Sequence, residues 1–145
     1  MVVEKGAHVS DFAIGDEVYG MDMRLRTAAC AEYAVISEKS IAHKPKNMSF
    51  AEAASVPLAA LTALQAFYLG GVQHGSKVLV IGASGGVGTF AVQIGKAMGA
   101  HITGVCSGKN SELVTGLGAE KVIDYKQSDF LQDTNDYDVV FDVTA

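Results

Sequence analysis

The sequence predicts an α/β protein, a parallel doubly wound sheet preceded by a short stretch of β structure. Three observations carry this. The chain changes style near Pro45, with short β-like runs before it and alternating strand and helix signals after it. The later strand signals are short and nearly all apolar, as in strands covered on both faces. A glycine cluster, Gly82-Ala83-Ser84-Gly85-Gly86-Val87-Gly88, joins the first of them to a helix signal.

Taken in order, residues 16–20 (DEVYG), 31–36 (AEYAVI) and 40–43 (SIAH) read as short strands, with a turn at Gly15-Asp16. Strands with no helices between them suggest part of an antiparallel or barrel-like unit. Ser49 is a candidate N-cap with Glu52 at the capping-box position. Pro57 is expected to interrupt that helix, residues 58–69 to form the next, and Gly70-Gly71 to end it. Residues 77–81 (KVLVI) read as a buried strand. Past the glycine cluster, Val87, Phe90, Ala91, Ile94, Ala97 and Met98 fall at helical spacing, with Gly99 at the C-terminal cap position. The cycle repeats: strand 101–106, helix 111–117 stopped by Gly118, strand 121–125, a helical turn near 128–131, strand 137–143. This order implies a parallel sheet with right-handed crossovers. A complete sheet of this kind runs 3-2-1-4-5-6. Only the first four members have counterparts here, so strand 137–143 is expected to form an apolar edge, a pairing hazard.

The 145 residues suffice for one domain with a real core, and 49% hydrophobic with 19% charged residues is a globular composition. A net charge of −5 argues against a broad nucleic-acid footprint, though a local basic patch could still meet a phosphate. Cys30 and Cys106 form no CxxC, which fits a reducing, cytoplasmic compartment. The opening MVVEKG has no apolar run of the signal-peptide kind. Residues 51–69 are the most apolar stretch; with Glu52, Pro57 and Gln65 inside, they read as buried or half-buried helix rather than a membrane span.

A helix N-terminus offers free N–H groups and a positive dipole end, and side chains there would block a phosphate. In the spacing G-x-G-x-x-G the three positions are Ala83, Gly85 and Gly88, so the motif is strictly A-x-G-x-x-G, with Gly82 and Gly86 adding room. Gly85 is expected to let the backbone approach a pyrophosphate, and Gly88 to let the helix pack on the strand. Strand before, helix after, inside a βαβ unit: that is the context of a Rossmann dinucleotide site. The plainer alternative is a tight glycine turn with no ligand. At the end of the second parallel strand, Val105-Cys106-Ser107-Gly108-Lys109-Asn110 holds no acid to bind a ribose 2′-hydroxyl, and the next acid is Glu112. Ser107 can donate to a 2′-phosphate and Lys109 can neutralise it, which favours NADPH over NADH; otherwise this is a polar loop with a helix cap.

Five segments, 12–20 (FAIGDEVYG), 30–36 (CAEYAVI), 49–65 (SFAEAASVPLAALTALQ), 77–88 (KVLVIGASGGVG) and 118–125 (GAEKVIDY), resemble the medium-chain dehydrogenase/reductase superfamily, above all its zinc-free quinone oxidoreductase (zeta-crystallin-like) branch. The resemblance implies that residues 1–46 are the C-terminal part of a GroES-like catalytic domain. Residues 47–145 would be the N-terminal part of a Rossmann cofactor domain. The remainder of both, with much of the quinone and nicotinamide pockets and a dimer-forming strand, would lie outside this chain. It further implies NADP(H) as cofactor, hydride transfer to a quinone or to the β-carbon of an enone, no metal, no membrane, and a homodimeric parent. Members of the branch can contact nucleic acid, which the net charge does not support. No general acid is evident, and a solvent proton would suffice.

Carried over by position, Thr62 and Gln65 would face the nicotinamide half, Ala83, Ser84, Gly85, Gly86, Val87 and Gly88 would hold the pyrophosphate, Ser107 and Lys109 would meet the 2′-phosphate, and Tyr125 would lie near the adenosine end. Without the resemblance, Thr62 reads as a helix hydroxyl bonded to its own backbone and Tyr125 as a packed strand-end aromatic. Zinc members carry a four-cysteine lobe, which two isolated cysteines cannot make; the segment between Gly20 and Ala31 is also too short for it, and Leu58 stands where a catalytic-zinc cysteine is expected. His8, His43, His74 and His101 show no ligand spacing, and Cys30 among alanines reads as a small apolar residue. Three alternatives remain at this point: a nucleotide-binding module without catalysis, a relative of zinc-type alcohol dehydrogenases, or a truncated product that does not fold stably alone.

Overall fold

A computed structural model describes residues 1–22, 31–133 and 136–144. Cys30 and the segment on which the zinc-lobe reasoning rests lie outside the described residues, apart from its first two positions. The chain forms two compact units, Met1–Leu58 and Ala59–Ala145.

In the first unit β1 (Val18–Gly20) pairs antiparallel with β2 (Ile41–His43). Residues 31–36, expected as a strand, form none. Their alternation would suit a half-buried strand, but no face of the segment is buried: Tyr33 and Val35 are both exposed. A strand pattern without a ladder and a covered face has nothing to stabilise it. Lys44 is a buried cation of this unit. Its ammonium meets the Glu17 carboxylate at 3.1 Å and the carbonyls of Pro45 and Met48, and lies over the Phe50 ring. Those partners are what make its burial tolerable.

Helix α1 (Phe50–Leu69) begins with the expected reciprocal cap. The Ser49 N–H donates to the Glu52 carboxylate at 2.8 Å, and the Glu52 N–H donates to Ser49 Oγ at 3.2 Å. Pro57 does not interrupt it. The residue has no N–H for the Ala53 carbonyl, yet it lies within a run of alanines and leucines whose helix propensity carries the element through. The division between the two units falls at Leu58, directly after this proline. By length and composition alone α1 could cross a membrane, and it is less buried than expected, with Leu58, Leu61, Tyr68 and Leu69 exposed. Ala63 and Phe67 nevertheless belong to the main core of the second unit.

That unit is a four-stranded parallel sheet built from β3 (Lys77–Ile81), β4 (His101–Cys106), β5 (Lys121–Asp124) and β6 (Val139–Asp142), in the order β5-β4-β3-β6. This is the 3-2-1-4 arrangement of a doubly wound sheet. Val78, Val80 and Ile102 pack on α1, on α2 (Gly86–Ala97) and on α3 (Ser111–Leu117). Leu79, Val105 and Ile123 form a separate cluster under Phe130 and Tyr137. The expected stripe on α2 is rotated by one position: Gly88, Ala91, Val92 and Gly95 are buried, and Val87, Phe90, Ile94 and Met98 flank them. Small residues line the closest approach. A Cβ at Gly95 would come 2.4 Å from Ile102 Cδ1. β6 pairs with β3 and has no second neighbour among the described residues of the sheet, and Val140 is 57% exposed, so the expected apolar edge is present.

Candidate dinucleotide site

The chain leaves β3 for β4 on one side, while β6 lies on the other. Where strand order reverses in this way, a crevice opens at the carboxyl ends of the strands. The glycine loop rises from β3 at that point. Its left-handed residue is Gly82, at φ +80°, where a Cβ would come within 2.8 Å of methyls of both Val143 and Thr144. The tight turn therefore belongs to Gly82 and not to the motif position occupied by Ala83. The Gly82 and Ala83 N–H groups both donate to the Val105 carbonyl at 3.0 Å, tying the loop to β4. Ala83 is 0% exposed, so its methyl is part of the core and the residue supports the loop from beneath.

Gly88 packs as its position implies. A Cβ there would come 2.2 Å from the Gly82 carbonyl oxygen and 2.8 Å from Ala83 Cα. Gly85 caps α2 without a side-chain bond, and the first bond into the helix runs from the Thr89 N–H to the Gly85 carbonyl. The amides of Gly86, Val87 and Gly88 thus have no helical acceptor. Gly86 is the informative member: a Cβ built on it meets nothing within 4 Å. The fold does not need glycine there, and the space beside the helix N-terminus is left open. A diphosphate fits such a cradle, held by main-chain donors and the helix dipole.

The second loop follows β4. Ser107 is buried, at 6% exposure, and Lys109 is exposed. The Asn110 side-chain amide donates to Ser84 Oγ at 3.0 Å and to Ser107 Oγ at 3.4 Å, joining this loop to the glycine loop. Sequence reasoning missed that link. It also missed Asp124, which β5 brings beside the loop from eighteen positions beyond Cys106. A Cβ on Gly108 would come 2.4 Å from Asp124 Oδ2, and Oδ1 accepts the Lys126 N–H at 3.0 Å. Burial first, and then the Asp124 charge, push the Cys106 thiol above its ordinary value. That suits a packed cysteine and not a nucleophile.

Tyr125 is 53% exposed, with its N–H on the Cys106 carbonyl, so the packed-aromatic alternative is overturned. β5 ends one residue earlier, at Asp124, which leaves the ring outside the sheet. Thr62 and Gln65 lie exposed on α1, about a turn apart and outside this pair of loops. His43 lies tilted against the Phe12 ring, His74 lies against Gly99, and His101 pairs with Glu120 at 2.9 Å. Among the described residues no three His, Cys, Asp or Glu side chains form a metal-binding group.

A family model described as zinc-binding dehydrogenase matches residues 86–145. The human mitochondrial NAD(P)H oxidoreductase RTN4IP1 is 47% identical over 131 residues, 87% of this chain and 33% of the relative. The solved quinone oxidoreductase from Coxiella burnetii matches with a TM-score of 0.90 at 37% identity, over 99% of this chain and 46% of that one. The quinone oxidoreductase from Thermus thermophilus, solved also in complex with NADPH, matches with a TM-score of 0.61 at 35% identity, over 66% of this chain and 32% of that one. The chain thus spans 33% of the human relative's length.

Proposed function

Because the chain belongs to the medium-chain dehydrogenase/reductase superfamily, in its quinone oxidoreductase branch, we propose that it is the dinucleotide-binding portion of an NADPH-dependent reductase of quinones or enones that works without metal. Residues 1–46 are read as the tail of a GroES-like domain and 47–145 as the first part of the Rossmann domain. The parent is read as a homodimer in a reducing, cytoplasmic setting; the human relative's own name is mitochondrial.

The observation that carries the reading is the open cradle at Gly86, at the switch point of the sheet and beside a loop bearing Lys109. When bound, the nicotinamide supplies a hydride for the quinone or for the β-carbon of the enone. The chain's own residues bind and orient. Amides of Gly86, Val87 and Gly88 hold the diphosphate, Ser84 and Ser107 edge the two loops, Lys109 neutralises a 2′-phosphate, and Tyr125 borders the adenosine end. Thr62 and Gln65 are assigned to the nicotinamide half on family position. The metal-free reading rests on Leu58 at the expected zinc-cysteine position and on the scarcity of cysteine.

One observation favours NADH instead: the Asp124 carboxylate beside Gly108 is an acid near the ribose end. Calorimetric titration separates the two. Lys109→Ala should weaken NADPH binding roughly tenfold and leave NADH within about twofold, the scale of one hydrogen bond to a charged group. An equal loss for both cofactors refutes the 2′-phosphate assignment. By itself the 145-residue chain is expected to bind NADPH without turnover, and quinone reduction by the purified chain would overturn that.

A further inference from the structure

The turn that carries Lys109 meets another part of the fold at each of its ends. At one end the Asp124 carboxylate lies so close to Gly108 that a Cβ would come 2.4 Å from Oδ2. At the other, the Asn110 amide spans to Ser84 Oγ and Ser107 Oγ. Lys109 stands between them, exposed. Asn110 sits at the position before α3 where asparagine usually caps a helix, yet its side chain makes no cap bond. The local use of the residue is given up for the link between loops.

We propose that Asn110 is a positioning residue: it locks the 2′-phosphate loop to the diphosphate loop and so sets the preference for a 2′-phosphorylated dinucleotide. The inference rests on the NADPH reading above. Each serine hydroxyl accepts a bond from the Asn110 amide, and a hydroxyl so engaged keeps its own proton to donate elsewhere. Ser84 belongs to the diphosphate loop and Ser107 begins the loop that presents Lys109. The amide therefore fixes the spacing between the two anionic groups the site would hold, and a lysine on a fixed base loses less freedom on binding than one on a loose loop.

The test compares adenosine 2′,5′-bisphosphate with 5′-AMP, which differ only in the 2′-phosphate, by calorimetric titration of the 145-residue chain. The wild-type chain should bind the bisphosphate more tightly. Asn110→Ala should lower that preference roughly tenfold while AMP affinity stays within about twofold. Asn110→Ser can cap α3 but is too short to span to Ser84, so it should behave as the alanine variant does. A melting curve for each variant confirms folding, and Ser84→Ala, which keeps Asn110 but removes one of its partners, should produce part of the same loss. If the wild-type chain shows no preference, the NADPH reading falls and the inference with it. If it shows the preference and Asn110→Ala keeps it, or Asn110→Ser restores it, the cofactor reading stands and the positioning role is wrong. An equal loss for both nucleotides makes Asn110 merely structural and also overturns the proposal.

Discussion

Gly86→Ala should make this protein more stable and a poorer dinucleotide binder, and Gly88→Ala shows why the pairing of effects is informative. Both glycines open α2. At Gly86 a Cβ meets nothing within 4 Å and the backbone is not left-handed, so alanine gains helix propensity and restricts the unfolded chain, worth about 0.5 kcal/mol. At Gly88 the same methyl would stand 2.2 Å from the Gly82 carbonyl oxygen, a main-chain atom that cannot rotate away, and the cost should be about 3 kcal/mol. Binding decides the rest. NADPH at about a hundred times its Kd stabilises the native state by about 2.7 kcal/mol. If the added methyl fills the diphosphate cradle and weakens binding about a hundredfold, the same concentration leaves about 0.4 kcal/mol. Urea denaturation with and without NADPH reads both quantities. Unchanged ligand stabilisation in Gly86→Ala would show that the open space is not the cradle. A destabilised apo variant would show that it is not open.

Other outcomes follow from the packing. Phe67 is fully buried and meets Phe141 edge to face at 5.6 Å, so Phe67→Ala should cost about 4 kcal/mol by the same denaturation, and a loss under about 1 kcal/mol would place α1 outside the core. Ser49→Ala removes the N-cap of α1 and should cost about 1 kcal/mol. The cap also has a pH signature. The Ser49 N–H, and then its hydroxyl, hold the Glu52 carboxyl below its ordinary value of 4.5. A depressed folded value means that this contribution is present above 4.5 and is lost as pH falls through the folded value. Ser49→Ala keeps the main-chain N–H and loses the hydroxyl, so acid titration of stability should be slightly shallower in the variant, and a steeper profile would count against the cap.

The parts legible in the sequence share a physical origin. β3, β4 and α3 have the bounds read from the sequence because each is a short run punctuated by residues with strong local preferences, such as Gly82 and Gly118. The Ser49–Glu52 cap was legible for the same reason, since both partners lie within four residues. Residues 31–36 misled because a strand is a claim about neighbours, and alternation does not supply them. Pro57 misled in the other direction. A rule about single residues was outweighed by the helix formers on either side.

By itself, then, the chain's order of apolar runs determined a parallel sheet in the arrangement β5-β4-β3-β6, and its glycine spacing determined a loop and helix N-terminus at the switch point. These depend on neighbours in sequence and on the handedness of βαβ connections. Only the tertiary structure decided that Gly82 and not position 83 makes the turn, that Gly86 faces open space while Gly88 faces a carbonyl, and that Asn110 and Asp124 close on the Ser107–Lys109 loop. Each of those is a distance between residues far apart along the chain, or between a side chain and a main-chain atom folded against it. Such distances exist only once β3, β4 and β5 lie side by side.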